Sequence, residues 1–149
     1  MQRNDTGITP DGGLYLNKDY FVEDYSVLDF DNKHFFIHEM VHVWQHQLGY
    51  PVKWRGAIRI GLSYKYTLSD KKLLNHYNME AQGDLLADYW SLTNFPGEAP
   101  RKMKETKHAK DLLLYQSVLK NFLKNPSDKK NLPGGHNEPR EFEYALPKG

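Results

Sequence analysis

The chain has 149 residues, of which 39% are hydrophobic and 26% are charged, and its formal net charge at pH 7 is +1. It has no cysteine, which excludes disulfide bonds and thiolate metal ligands, and no apolar run of the roughly 18 residues that a membrane span requires. The beginning lacks the basic and then apolar order of a signal peptide. We therefore expect a single domain over residues 1–149, large enough to bury its own core, with no membrane span.

Turn residues and short apolar runs alternate over the first thirty residues. The turn-forming segment 10–13 precedes two apolar runs, 14–16 and 20–22, which are typical of a β-hairpin. Such a hairpin would contribute to a small antiparallel sheet.

A helix is predicted to follow over about 32–48. Asp29 or Asp31 can provide its N-cap, and Gly49 followed by Pro51 provides its stop. The many apolar residues within it indicate that much of this helix is buried.

This helix carries an HExxH pattern, in which His38 and His42 flank Glu39 and two further residues. Residues i and i+4 share one helix face, so the two imidazoles can reach one point, and Glu39 can reach a water held there. In this pattern the histidines bind zinc and the glutamate is the general base. Ionisable groups in an apolar segment are costly to bury unless they are paired or bind metal. We therefore predict a zinc site, the alternative being a hydrogen-bonded core pair with a surface glutamate.

The apolar periodicity changes after this helix. Apolar residues alternate with polar or small ones over 58–66, which predicts a half-buried strand. In a peptide-cleaving enzyme, an exposed strand edge beside the metal could pair with extended substrate. An edge covered by another part of the chain fits the pattern equally well.

A second helix is predicted over about 70–92. Glu80, Asp84 and Asp88 are spaced by four residues, so one helix face carries three mutually repelling carboxylates and requires a cation opposite. Catalytic zinc commonly takes two histidines and a glutamate, which makes Glu80 the predicted third ligand. Asp84, and less strongly Asp88, could accept the second N–H of a ligating histidine. The alternative for both aspartates is a solvated face or a salt bridge.

Two further histidines, His34 and His46, continue the four-residue spacing on the first helix. Each step of four turns by about 40° around the helix, so we expect surface or supporting groups there, not ligands. The longer HExxHxxGxxH pattern fails, because Gln45 occupies its glycine position and Leu48 its third histidine position. This departure favours the class in which a glutamate is the third ligand.

A third helix is predicted over about 104–124, and the remainder, 127–149, is rich in Pro, Gly and charge and is expected to be irregular. Lysines are concentrated in and near the third helix. We interpret them as the solvated side of an amphipathic helix, the alternative being a surface for an anionic partner such as a cell-wall polymer or an acidic protein. We expect no nucleic-acid partner.

Three segments together resemble a known family. They read His38-Glu39-Met40-Val41-His42-Val43-Trp44-Gln45, Tyr77-Asn78-Met79-Glu80-Ala81-Gln82 and Ala87-Asp88-Tyr89. Over about residues 20–92, the chain resembles the HExxH, gluzincin-like zinc metallopeptidase domains of Vgr-related and Rhs-related proteins. In that family, such domains are associated with the spikes of bacterial type VI secretion systems. Ala81 and Gly83 depart from the pattern, in which glutamine and alanine are expected.

The resemblance implies an α+β, mainly α, zincin-like fold, in which an active-site helix and a glutamate-bearing helix pack with a small antiparallel sheet. It implies metal ligands at His38, His42 and Glu80 and a general base at Glu39. It also implies a secreted antibacterial effector that acts in the periplasm of a target bacterium. A secretion-spike carrier and an immunity protein would be its partners.

The expected function is that of a zinc metallopeptidase acting on a peptide or protein. Glu39 would take a proton from the metal-activated water as that water attacks the carbonyl, and would pass it to the leaving amine. An oxyanion partner is also expected, with Tyr64, Tyr66, Tyr77, His76, His108 and His136 as candidates. The alternatives are a non-catalytic metal-binding or interaction module and a cell-wall amidase with the same zinc chemistry.

Overall fold

The computed structural model of the chain describes residues 7–8, 15–16, 23–52, 62–103 and 107–135. These residues form five α-helices, three 3₁₀ turns and one short strand pairing. The helices are α1 (Phe30–Gln47), α2 (Met79–Asn94), α3 (Ala99–Lys102), α4 (Leu112–Val118) and α5 (Lys120–Lys124). The 3₁₀ turns are Tyr25–Val27, Leu74–His76 and Lys129–Asn131, and the strands are β1 (Gly7–Ile8) and β2 (Tyr15–Leu16).

The first predicted helix is confirmed as α1, with both ends set by the expected chemistry. Asp29 is the N-cap, and its side chain accepts a hydrogen bond from the backbone N–H of Asn32 at 2.9 Å. After the last turn, the backbone N–H of Gly49 donates to the carbonyl of His46, with a φ of +94° at Gly49. That φ lies in the left-handed region, which glycine adopts without a steric penalty.

The second predicted helix exists as α2, but it begins at Met79 and not near residue 70. Leu73 and Tyr77 have extended backbone conformations on either side of a short 3₁₀ turn, and this interrupts the helical path. Asn78 is the N-cap, since its side chain accepts from the backbone N–H of Ala81 at 2.8 Å. The helix therefore begins one residue before Glu80, which places that carboxylate in its first turn.

Helices α1 and α2 pack against each other in antiparallel directions. As the residue number rises along α1, the number of the contacted residue on α2 falls. The contacts are His34–Asp88 at 2.7 Å, His38–Asp84 at 2.8 Å and His42–Glu80 at 2.7 Å. The core beside these helices includes side chains that are fully buried, namely Leu74, Leu85, Tyr115, Val118 and Leu119.

The expected α+β fold, with a small antiparallel sheet packed on the two helices, is wrong, because the described residues form a helical fold. Their extended pairing is confined to β1 and β2, two residues each, joined antiparallel. Tyr15–Leu16 thus pairs with Gly7–Ile8, whereas its expected partner 20–22 lies outside the described residues. The described residues do not confirm the zincin-like part of that expectation.

The strand predicted over 58–66 is not formed where it can be examined, and 58–61 lies outside the described residues. The segment 62–68 does alternate in burial: Tyr66 and Leu68 are buried, and the residues between and before them are exposed or half-buried. The inward side chains pack on helical elements, since the Tyr66 hydroxyl bonds to Asp88 of α2. Period-two burial therefore arises here from a segment that covers helices and pairs with no strand among the described residues.

The third predicted helix begins at Leu112 and not near residue 104, since the described residues 107–111 are not helical. Leu119 divides it into α4 and α5, and residues 104–106 lie outside the described residues. The segment predicted to be irregular begins with a packed stretch. It includes the Lys129–Asn131 turn and the buried Leu132, which packs with Val52 and Met79. Residues 136–149 lie outside the described residues. Within the described ranges, no helix has the length and apolarity that crossing a membrane requires.

Replacing Gly49 by alanine should lower the free energy of unfolding by about 1–2 kcal/mol, because an L residue is strained at a left-handed φ. Gly97→Ala is the matched control, since an added Cβ meets no atom within 4 Å at either position and Gly97 has no positive φ. Urea denaturation of both variants measures the difference. Equal stability of the two would contradict this explanation of where α1 ends.

Candidate metal centre

Three buried side chains from α1 and α2 converge on one point. The Nε2 atom of His42 lies 3.1 Å from Nε2 of His38 and 2.7 Å from Oε1 of Glu80, and the third separation, His38 to Glu80, is 3.8 Å. Exposure is 1% or less for all three residues. The cluster joins the middle of α1 to the first turn of α2, whereas the sequence predicted that Glu80 would lie near the middle of its helix.

The outer nitrogen of each imidazole has its own hydrogen-bond partner. Nδ1 of His38 lies 2.8 Å from Oδ1 of Asp84, and Nδ1 of His42 lies 2.8 Å from Oε1 of Gln45. Because an ionised carboxylate and an amide oxygen can only accept, each Nδ1 must carry the proton. The two Nε2 atoms therefore face the cluster, where each would present a lone pair to a bound metal ion.

The electrostatics of the cluster are those of an anionic site that holds a cation. Burial alone would lower the pKa of His38, but its hydrogen bond to Asp84 and the Glu80 carboxylate 3.8 Å away outweigh burial and raise the pKa to about 9. Burial alone would raise the pKa of the Glu80 carboxyl, but the imidazoles of His38 and His42, 3.8 and 2.7 Å away, hold that pKa well below its usual range. At neutral pH and without metal, His38 is thus protonated, with the carboxylates of Asp84 and Glu80 on either side of its ring. A metal ion that binds to the cluster would have to displace a proton.

The donor set fits zinc. Bonds of about 2.0–2.2 Å in tetrahedral geometry place ligand atoms roughly 3.3 Å apart, and the three separations in this cluster range on both sides of that value. Two neutral imidazoles and one carboxylate are a ligand set of catalytic zinc sites. Within the described ranges, the group that could hold a metal has three members, His38, His42 and Glu80.

The proposed general base, Glu39, is buried on α1 immediately after His38, with 3% exposure. It is not a member of the group whose ligand atoms converge. This position suits a residue that acts on a water beside a metal instead of binding the metal, and the role stays a prediction.

Asp88 and His34 form a separate contact one turn from the cluster. Oδ1 of Asp88 lies 2.7 Å from Nε2 of His34, and its other oxygen accepts from the Tyr66 hydroxyl, which in turn contacts the hydroxyl of Tyr115. Burial, followed by the neighbouring Asp88 charge, raises the pKa of Tyr66. Asp88 thus supports His34 and not a predicted ligand, and His46 is exposed.

The structure places one of the oxyanion candidates beside the cluster. The ring of Tyr64 is half-buried, with its centroid 5.7 Å from that of His38. Four other candidates form hydrogen bonds elsewhere: Tyr66 to Asp88, Tyr77 to the carbonyl of Thr67, His76 to the backbone of Leu73, and His108 to Leu68 and Asp111. His136 lies outside the described residues.

Sequence reasoning missed two residues that position the ligands. A Cβ at Gly83 would lie 2.5 Å from Cε1 and 2.7 Å from Nδ1 of His38, so only glycine lets this ring lie against the backbone of α2. A glycine inside a helix is destabilising by roughly 1 kcal/mol relative to alanine, and this was the available signal. Gln45 lies three residues after His42 on the same face of α1, a spacing that also predicts contact.

The helical fold and this cluster define a helical domain with a candidate His-His-Glu metal centre. Its sequence is similar to part of a known protein. No family model matches the chain. The chain is 36% identical over 128 residues to the type VI secretion system spike protein VgrG2b of Pseudomonas aeruginosa, a match that covers 81% of this chain and 12% of that protein.

A solved structure extends the likeness to the fold. The effector domain of Pseudomonas aeruginosa VgrG2b matches with a TM-score of 0.56 and 33% identity, over 82% of this chain and 63% of that one. The chain is therefore homologous to a type VI secretion effector domain, and it spans less than two thirds of the solved domain and a small part of the whole spike protein.

Substituting Gly83 by alanine should lower zinc affinity on the order of tenfold, because the added Cβ displaces the His38 ring from its position. Helix content should not fall, since alanine is the better helix former. Chelator competition measures the affinity, and circular dichroism measures the helix content.

Gly97→Ala is again the matched control, because it adds the same methyl group in open space. Unchanged zinc affinity in the folded Gly83 variant would show that the position of the His38 ring does not govern metal binding.

Proposed function

We propose that the chain is a zinc-dependent metallopeptidase and serves as a type VI secretion effector domain. The observation that carries the enzymatic part is the convergence of Nε2 of His38, Nε2 of His42 and Oε1 of Glu80 in a buried cluster. Glu39, which follows His38 in the sequence, is buried as well. Homology to the effector domain of a secretion spike protein supports the delivery part.

The chemistry follows from the residues of the cluster. Zinc bound there would act as a Lewis acid and would lower the pKa of water from about 15.7 to about 7. Glu39 takes a proton from the attacking water as the water oxygen bonds to the carbonyl carbon of an amide. Glu39 then gives that proton to the amide nitrogen as the C–N bond breaks. The products are a carboxylic acid and an amine, and Glu39 is again a carboxylate.

Other residues would orient the reacting groups. Asp84 and Gln45 hold the outer nitrogens of the two histidines, which fixes the direction of both rings. Tyr64, whose ring lies beside His38, is the candidate that the geometry favours for hydrogen bonding to the developing oxyanion.

The delivery route that we propose is secretion on a spike carrier, with action in the periplasm of a target bacterium. The basis is that the relative is named a type VI secretion system spike protein and its matching part an effector domain. A hydrolase of this kind would also act on the cell that produces it, so we propose an immunity protein as a second partner. The substrate would be a peptide or protein.

An experiment has to distinguish the proposed peptidase from two other functions, a structural metal-binding module and a cell-wall amidase. A structural zinc site usually has four protein ligands, whereas the group in the described ranges has three, which favours an open position and catalysis. A cell-wall amide would be cleaved by the same chemistry, so the substrate class has to be determined by assay.

The test is the variant Glu39→Gln, which keeps the size of the side chain and removes its basicity. Hydrolysis of peptide libraries should fall by at least roughly a hundredfold, because a general base commonly contributes that factor or more. Zinc content, measured by elemental analysis, should stay near that of the unaltered protein, since Glu39 is not in the ligand group.

Two companion variants make the result specific. Glu80→Gln should lower zinc affinity on the order of tenfold or more, whereas Glu98→Gln, at an exposed carboxylate paired with Lys102, should change neither zinc binding nor hydrolysis. Retained hydrolysis in Glu39→Gln would remove Glu39 as the base. A fourth protein ligand on zinc, with no hydrolysis of peptides or cell-wall fragments, would favour the structural site, and cleavage of cell-wall fragments alone would favour the amidase.

A further inference from the structure

A chain of buried polar side chains lies one helical turn from the ligand group and joins four parts of the fold. The Tyr66 hydroxyl donates to Oδ2 of Asp88 on α2, and Oδ1 of Asp88 lies 2.7 Å from Nε2 of His34 on α1. A hydroxyl has one hydrogen, so Tyr66 must accept from the hydroxyl of Tyr115 on α4. Exposure is 7% for Tyr66, 5% for Asp88 and 0% for Tyr115, so bulk water does not compete for these bonds. We call these four residues the Asp88 node.

The Asp88 node ties the segment 62–68 to the helices. This segment pairs with no strand among the described residues, so side chains hold it in place instead. Three contacts bind its backbone, namely Asn78 Nδ2 to the Ser63 carbonyl at 3.2 Å, the Tyr77 hydroxyl to the Thr67 carbonyl at 2.7 Å, and the Leu68 N–H to His108 Nε2 at 3.1 Å. The bond from Tyr66 to Asp88 adds an inward side chain of the segment itself, and it ends on α2.

The inward side chains of the segment have the same spacing as the paired residues of the two helices. Tyr66 binds Asp88, the partner of His34, and the ring centroid of Tyr64 lies 5.7 Å from that of His38. Two residues of an extended backbone advance roughly 6.6 Å, and the four residues from His34 to His38 advance about 6 Å along a helix. Tyr66 and Tyr64 therefore lie at successive histidine–aspartate pairs, and the second of these pairs contains a predicted ligand.

From this register we infer that Tyr66 and Asp88 are positioning residues that hold the Tyr64 ring against His38. A slip of the segment along the helices would move Tyr64 away from His38, and it would also separate the Tyr66 hydroxyl from Asp88. That separation is unfavourable because a buried donor and a buried carboxylate would lose their partners. The importance of the Tyr64 position rests on the proposed function, in which its hydroxyl bonds to the developing oxyanion.

A direct chemical role for Tyr66 is disfavoured by its surroundings. Burial, followed by the charge of Asp88, raises the pKa of Tyr66, so its hydroxyl keeps its proton. That hydroxyl is also engaged by both Asp88 and Tyr115. Neither Tyr66 nor Asp88 belongs to the group whose ligand atoms converge, so any effect of theirs on the reaction has to pass through another residue.

The first test uses the wild-type protein without metal. Nuclear Overhauser effects should connect the ring protons of Tyr64 with those of His38, and the hydroxyl proton of Tyr66 should exchange slowly with water. A folded protein that lacks these Overhauser effects, or whose Tyr66 hydroxyl exchanges rapidly, would overturn the inference without any variant.

The second test is the variant Tyr66→Phe, which keeps the ring and removes the hydroxyl. The Overhauser effects between Tyr64 and His38 should weaken. For a peptide that the wild type cleaves, kcat should fall on the order of tenfold, because a small displacement of an orienting group is costly, while KM and zinc affinity stay within about twofold. Tyr89→Phe, which removes the same hydroxyl from a half-buried ring on α2, is the matched control and should change none of these quantities.

A double variant shows whether Tyr66 acts through Tyr64. Tyr64→Phe alone should lower kcat about a hundredfold, as loss of an oxyanion donor does. The double variant should be no slower than Tyr64→Phe, because the hydroxyl that Tyr66 positions is already absent. Effects on kcat that multiply would overturn the inference.

Two further outcomes separate the inference from the proposed function. A zinc affinity that falls as much as kcat in Tyr66→Phe would overturn the inference, since the Asp88 node would then support the ligands and not Tyr64. Weakened Overhauser effects in Tyr66→Phe, in a chain that cleaves no peptide, would overturn the proposed peptidase and leave the positioning of Tyr64 standing.

Discussion

Pairing of buried imidazoles with carboxylates across two antiparallel helices is the interaction on which the structure around the site depends. Ionisable groups are costly to bury unless they are paired, and here each step of four residues along α1 is matched by a step of four back along α2. Both ladders are therefore satisfied together, and the match fixes how the two helices are aligned lengthwise. The pairs are His34–Asp88, His38–Asp84 and His42–Glu80.

The three pairs share a geometry and differ in surroundings, which separates structural from chemical roles. A four-residue row turns by about 40° per step on one helix, but the row on the partner turns as well, so His34 still contacts α2. There Asp88 also binds Tyr66, and the pair becomes part of the core. At the other end of the ladder, His42 and Glu80 face His38, the third member of the ligand group.

Much of this site could be predicted from the sequence because its signals are local. The prediction failed for features that depend on contacts between separate elements. The four-residue spacing of Glu80 and Asp84 is a helix property, so their shared face could be inferred before any contact was known. Alternation over 62–68 indicates which side chains are buried but not whether a strand or a helix covers them. The prediction of a strand in a sheet was therefore wrong. Gly83 and Gln45 were missed because a close approach and an amide orientation depend on α2 lying against α1.

Charge balance explains why the two histidines are supported differently. A buried site is most favourable near neutrality, and the carboxylates of Glu80 and Asp84 together offset the charge of one divalent ion when both imidazoles are neutral. A neutral acceptor behind His42, the amide of Gln45, keeps that balance, whereas a third carboxylate there would exceed it. In the proposed mechanism, Glu39 would then not be required to neutralise the ion and would act only on the proton of the water. The arrangement of one charged and one uncharged support is thus the physical basis for assigning metal binding and base chemistry to different residues of the same helix.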